Sequence, residues 1–221
     1  LSSDGRQPVF CLFNINRHDT RLRTSIGNGK AIMIWLIIGL ILFLGMHSVR
    51  MALPGLREVL WQAWGENAWK GIYSLVSLLG IILVIWGFGL TREQGVQVYD
   101  PPSWGLHVTL FLMFISFSLL PFNMRSSRLR PLIKNPFLLA VALWSIGHLL
   151  ANGDLASVLL FGSFLLWTIA NRLSLTRRPD VAPAAVPLVQ DIVAVGAAWL
   201  IYLLFLFVLH EWLFGVAPVA V

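Results

Sequence analysis

NPFLLAVALWSIGHLLANGDLASVLLFGSFLLWTIANR, residues 135–172, decides the architecture. Two apolar runs, 136–152 and 155–171, flank Asn152-Gly153-Asp154, and no Lys, Arg or Glu interrupts either before Arg172. Each run approaches the roughly 20 residues that cross a ~30 Å hydrocarbon layer. With a three-residue turn between them they form a helical hairpin inside a bilayer. The same texture recurs on both sides, at 33–51 (MIWLIIGLILFLGMHSVRM), 71–90, 104–122 and 192–213. The expectation is six spans, an all-α polytopic transmembrane helical bundle.

Composition supports this reading and excludes its rivals. The chain has 221 residues, 57% hydrophobic and 12% charged, with a mean hydropathy of +0.78. Soluble domains carry about 25% charged residues, so these charges are too few to cover a globular surface and a soluble enzyme is excluded. Apolar content this high also excludes disorder. The pI of 10.2 does not indicate a nucleic-acid partner, because the basic residues lie in short loops between apolar runs. Cys11 is the single cysteine, which excludes a disulfide framework or a thiolate metal cluster.

Loop charges set an expected orientation. Arg50, Arg57 and Lys70 lie between spans one and two, Arg125, Arg128, Arg130 and Lys134 between three and four, and Arg172, Arg177 and Arg178 between five and six. The two even-numbered loops hold Arg92 alone. By the positive-inside rule the basic loops are cytoplasmic and both termini face outward, in the inner (cytoplasmic) membrane of a bacterium. Residues 1–32 carry Arg6, Arg17, Arg21, Arg23 and Lys30, which that topology would leave on the outer side. They are read as an upstream over-call or a disordered leader, with Met33 as the expected start. Segment 56–70, LREVLWQAWGENAWK, is expected to be an amphipathic helix on the cytoplasmic surface. The tryptophans, Trp86, Trp104 and Trp212 among them, are read as interfacial anchors. The Pro-rich stretch 176–190 reads as a linker into the last helix, so that 179–221 is linker plus final span.

Ionisable residues inside spans are costly and mark function by default. Three histidines qualify: His47 in the first span, His107 early in the third and His148 in the fourth. His210 lies near the outer end of the last. Without thiolates or carboxylates well inside a span, zinc or di-iron sites lack ligands. A haem needs only one or two imidazoles and an apolar slot, and Arg50 beside His47 suits a propionate. At ~1.5 Å per residue, His107 and His148 lie roughly 5 and 10 Å below the outer surface and His47 about 21 Å. Depth therefore favours His107 with His148 and does not exclude His47 with His148.

Three phrases occur together: GMHSVRM at 45–51, WGLHVTLFLMF at 104–114, and RLRPLIKNPFLLAVALWSIGHLLANGD at 128–154 running on to LLFGSFLLW at 159–167. With GENAWKGIYSLVSLLGIILVIWGF at 65–88, they resemble the NnrU family of bacterial integral membrane proteins over residues 33–178. The resemblance implies a link to denitrification, in a redox or assembly role supporting nitrite and nitric oxide reduction. The family also includes the zeta-carotene isomerase, which carries haem b and works by ligand exchange on iron. Its haem histidines fall on His47 and His148 and a further one on His107, so the resemblance implies haem b on His47 and His148, with His107 as the alternative ligand. Two departures matter: Ser145 stands where the isomerase has a cysteine, and Asn135 where it has a histidine. The alternative functions are a haem-dependent cis–trans isomerase of zeta-carotene or a similar polyene, and a non-enzymatic membrane partner of a reductase complex. A basic residue before Asn135-Pro136 is also similar to the cofactor motif of membrane isoprenylcysteine methyltransferases. The motif's histidine and its acidic segment are missing, which argues against methyl transfer.

Overall fold

The computed structural model describes residues 32–124, 133, 135–175 and 187–219. The expectations for 1–31, for the bases at 125–130 and 134, and for the linker over 176–186 lie outside the described residues. Among the described residues eight helices follow in order: α1 (Ile32–Ala52), α2 (Pro54–Trp64), α3 (Glu66–Glu93), α4 (Gly105–Leu119), α5 (Pro121–Met124), α6 (Pro136–Ala151), α7 (Leu155–Leu175) and α8 (Leu188–Phe214). No strand is present among the described residues. The fold is an all-α membrane bundle, as the sequence implies.

Among the described residues four helices, α1, α3, α7 and α8, are long and apolar enough to cross a membrane. The other two apolar helices, α4 and α6, are shorter, at 15 and 16 residues. Pro121 shortens α4: it cannot donate to the ladder, so the chain breaks at Leu120 and resumes as α5. Asn135-Pro136 starts α6 for the complementary reason, since proline is tolerated in a first turn. The expected surface helix over 56–70 is divided instead at Gly65, whose φ of +81° ends α2 and hands residues 66–70 to α3. No residue of α2 is buried, and its Leu56, Val59 and Trp64 are exposed, which suits a helix lying against lipid.

Large apolar side chains point outward along the spans, among them Leu75, Ile85, Leu166 and Leu200, while Gly39, Gly80, Gly87 and Gly147 face a neighbouring helix. This follows from the solvent. Hydrocarbon gives helices no hydrophobic reason to associate, so small residues that let backbones approach, and interhelical hydrogen bonds, hold them. A Cβ on Gly39 would sit 2.6 Å from the Val84 nitrogen, and one on Gly80 2.7 Å from the Phe43 nitrogen. Gly87 meets the Leu36 backbone still more closely. α1 and α3 therefore cross at glycine contacts, with Leu36, Leu40 and Val84 in a core completed by Ala156, Leu160 and Phe161 of α7.

Antiparallel α4 and α6 are joined by hydroxyls. Thr109 Oγ1 donates to the Gly147 carbonyl at 2.6 Å, and Ser116 Oγ to the Ala140 carbonyl at 2.9 Å. α8 lies against α4 through Trp199, whose indole N–H donates to Ser118 Oγ at 2.8 Å, and Tyr202, whose hydroxyl donates to the Leu110 carbonyl at 3.1 Å. Trp199 and Tyr202 thus pack against α4, and Trp86, Trp104 and Trp212 are exposed.

The α3–α4 loop is clipped to the α6–α7 turn. Val98 N–H donates to the Gly153 carbonyl at 2.8 Å and Leu155 N–H to the Val96 carbonyl at 2.8 Å. Tyr99 hydroxyl reaches the Leu149 and Asn152 carbonyls at the end of α6. Asp154 caps α7 by accepting from Ser157 N–H at 2.9 Å and Ser157 hydroxyl at 2.7 Å. The two loops poor in basic residues thus share one end of the bundle.

Two predictions follow from this packing. Gly87→Ala destabilises the bundle by about 1–3 kcal/mol in a denaturing-detergent titration, because the new methyl meets α1 backbone. Gly89→Ala, where a Cβ meets open space, changes stability by less than about 0.5 kcal/mol. Equal effects would show that α1 and α3 do not cross here. Burial first, and Asp154 second, hold the Tyr99 phenol above its ordinary pKa. A folded-state pKa that is raised leaves the clip at full strength below pH ~10 and weakens it as pH climbs through the raised value. Thermal unfolding followed through that range should show a loss in wild type that Tyr99→Phe lacks.

Candidate functional site

α6 carries the site because its orientation is fixed on one side. Gly147 faces α4, where a Cβ would lie 3.1 Å from Met113 Cε and 3.3 Å from Thr109 Cγ2. The next residue, His148, consequently turns away from α4. Its Nδ1 is hydrogen-bonded to the Trp144 carbonyl one turn back at 2.9 Å, and Phe161 of α7 stacks on it with ring centroids 4.5 Å apart.

His47 of α1 repeats the arrangement. Its Nδ1 meets the Phe43 carbonyl at 2.7 Å, and Tyr73 and Trp167 flank the ring at 5.3 and 6.3 Å. Trp167 is itself held by its indole N–H on Ser48 Oγ at 3.1 Å. His47 lines a cavity of about 190 Å³ together with Arg50, Arg57, Trp69 and Tyr73. A second cavity of about 290 Å³ shares Arg57, Trp69 and Tyr73 and adds Lys70, which pairs with Glu66 at 2.6 Å. Arg50 and Arg57 thus bring guanidinium groups to the same cleft as His47.

In both rings the i−4 carbonyl takes the Nδ1 proton, which fixes the tautomer and leaves Nε2 as the basic nitrogen. Among the described residues, neither Nε2 has a hydrogen-bond partner. That is the donor a haem iron requires. No group of three or more His, Cys, Asp or Glu able to hold a bare metal ion occurs among the described residues.

The histidines do not all meet. His107 is exposed on the side of α4 opposite Gly105, Thr109 and Met113, so the pairing that depth favours, His107 with His148, is not formed. His47 and His148 are linked through rings: His47 to Phe43 (4.3 Å), Phe43 to Phe164 (5.9 Å), Phe164 to Trp144 (5.3 Å) and Trp144 to His148 (5.4 Å). On α7, their neighbours Trp167 and Phe161 are about 9 Å apart along the axis. The histidine whose ring does face His148 is His210 of α8, at a centroid distance of 6.5 Å.

The model of the NnrU protein family matches residues 35–218, nearly the whole chain. This chain belongs to the NnrU family. The match runs past residue 178 and through α8. Comparison with curated proteins and with solved structures returns no match. In this NnrU protein Ser145 is fully buried, and its hydroxyl has no partner among the described residues.

Proposed function

We propose that this NnrU protein binds haem b through intramembrane imidazoles, His148 and His47, and serves a redox or assembly role in nitrite and nitric oxide reduction. The observation that carries the reading is the shared anchoring of the two rings, Nδ1 on a backbone carbonyl and Nε2 left over. Because the rings stand at levels about 9 Å apart along α7, they are assigned as separate ligand positions, not as the two faces of one iron. Arg50 and Arg57, in the His47 cleft, suit the carboxylates of a propionate side chain. Haem iron, when bound, supplies one-electron exchange. The chain's own part is to fix each imidazole's tautomer, to exclude water with Phe43, Trp144, Phe161 and Phe164, and to neutralise carboxylates at the basic end.

The setting belongs to the same proposal: a bacterial inner membrane, basic loops cytoplasmic, with a reductase complex as the partner served. The buried Ser145 argues against isomerisation of a polyene by a cysteine-based ligand switch.

The test is an optical spectrum of the full chain in mild detergent, oxidised and dithionite-reduced. A Soret band with sharp reduced α and β bands is expected. His47→Ala and His148→Ala should each lower haem content per chain by at least about twofold, the scale of losing one of two ligand positions. His107→Ala should leave it unchanged. A colourless protein that haemin does not reconstitute would overturn the cofactor and leave the reductase-partner reading.

A further inference from the structure

We propose that the cleft between α2 and the start of α3 binds the phosphate headgroup of an anionic glycerophospholipid. The site needs no haem. The cleft has a volume of about 290 Å³, with Arg57 and Trp61 of α2 on one wall. Glu66, Trp69, Lys70 and Tyr73 of α3 form the other. It adjoins the smaller cavity at His47 and shares Arg57 with it. One water needs about 10–15 Å³ of such space, so a phosphate with its glycerol has room.

The sequence builds this cleft by breaking one helical stretch into two. Gly65, at φ +81°, ends α2 and lets α3 start in a new direction. Arg57 and Trp61, one turn apart on α2, then stand across from Trp69 and Tyr73, one turn apart on α3. The Arg57 guanidinium lies 5.2 Å from the Trp61 ring centre, which keeps its charge at the wall.

The lining donors select an anion. Guanidinium, ammonium and indole groups donate hydrogen bonds and accept none. Trp69 is only 9% exposed, yet its indole N–H makes no hydrogen bond to another described residue. Among the described residues the Tyr73 hydroxyl and the Arg57 guanidinium make none either. Glu66, the carboxylate in the lining, is occupied by Lys70 at 2.6 Å. A phosphodiester carries a negative charge and several acceptor oxygens, which suits this set of donors. α3 also begins here without a side-chain cap, and its N-terminal dipole favours an anion.

The course of α3 beyond the cleft makes the ligand a lipid. Lys70, Ser74, Leu78, Ile82 and Trp86 follow one another at four-residue spacing, as one ridge along the helix. Ser74 lines the cleft, and Leu78, Ile82 and Trp86 are each more than half exposed. An acyl chain attached to the held phosphate has this apolar ridge to run along. α2 exposes Leu56, Val59 and Trp64, as a helix seated among headgroups does. Free phosphate would use the donors and leave the ridge without a role.

The experiment is native mass spectrometry of the full chain in mild detergent, without added haem. It is titrated separately with phosphatidylglycerol, phosphatidylcholine and inorganic phosphate. Phosphatidylglycerol should bind at least about tenfold more tightly than phosphatidylcholine, and inorganic phosphate at equal concentration should not displace it. Arg57→Gln combined with Lys70→Gln should weaken phosphatidylglycerol about thirtyfold. Trp69→Phe, which keeps a ring and removes the N–H, should weaken it about tenfold. Arg92→Gln, at the other end of α3, should leave it unchanged. Thermal melting of each variant separates lost binding from lost fold, and if the double variant unfolds, Trp69→Phe decides. Folded variants that bind phosphatidylglycerol like wild type overturn the site. Equal binding of phosphatidylcholine overturns the anionic headgroup, and displacement by inorganic phosphate overturns the lipid in favour of free phosphate. A protein that takes up no haem tests the site equally well, so the two readings fail separately.

Discussion

Close approach of helix backbones at glycine is the constraint on which the rest depends. In hydrocarbon, an apolar side chain gains nothing by leaving lipid for protein, so contact must come from dispersion at short range and from hydrogen bonds. Gly147 shows how far this reaches. By letting α6 press against Thr109 and Met113, it fixes the rotation of α6 about its own axis. Trp144 and His148 are then sent toward α7 and α8, while Ser145 is buried. Gly39, Gly80 and Gly87 do the same for α1, whose His47 reaches Tyr73 of α3 and Trp167 of α7.

The helices themselves were legible. An apolar run of span length must satisfy its backbone internally, so hydropathy alone locates it. The tight turn Asn152-Gly153-Asp154 was equally plain, and Asp154 caps α7 there. What hydropathy cannot supply is rotation about the helix axis. Depth brought His107 and His148 to similar levels, but His107 faces outward, because the glycine and threonine two positions to either side of it face α6. His210 lies near a helix end, and its ring stacks on that of His148. The π turn at Phe205–Leu209 just before it has no hydropathy signature. Gly65 is a similar case: helical spacing runs through 56–70, yet one positive φ divides it.

The resulting molecule holds two imidazoles in rigid aromatic surroundings at different levels, one beside a cleft with Arg50 and Arg57 and one facing His210. Both rings are fixed by the carbonyl one turn back, which needs no carboxylate in the membrane to orient them.

The central claim is that histidine nitrogens, His148 Nε2 above all, are bonded to haem iron. Pulsed electron paramagnetic resonance of the ferric protein, with histidine alone labelled with ¹⁵N, tests it most directly. Strong ¹⁵N hyperfine coupling that is lost from one iron population in His148→Ala is the predicted result. A ferric haem signal without histidine ¹⁵N coupling, or a coupling unchanged in His148→Ala, would contradict it.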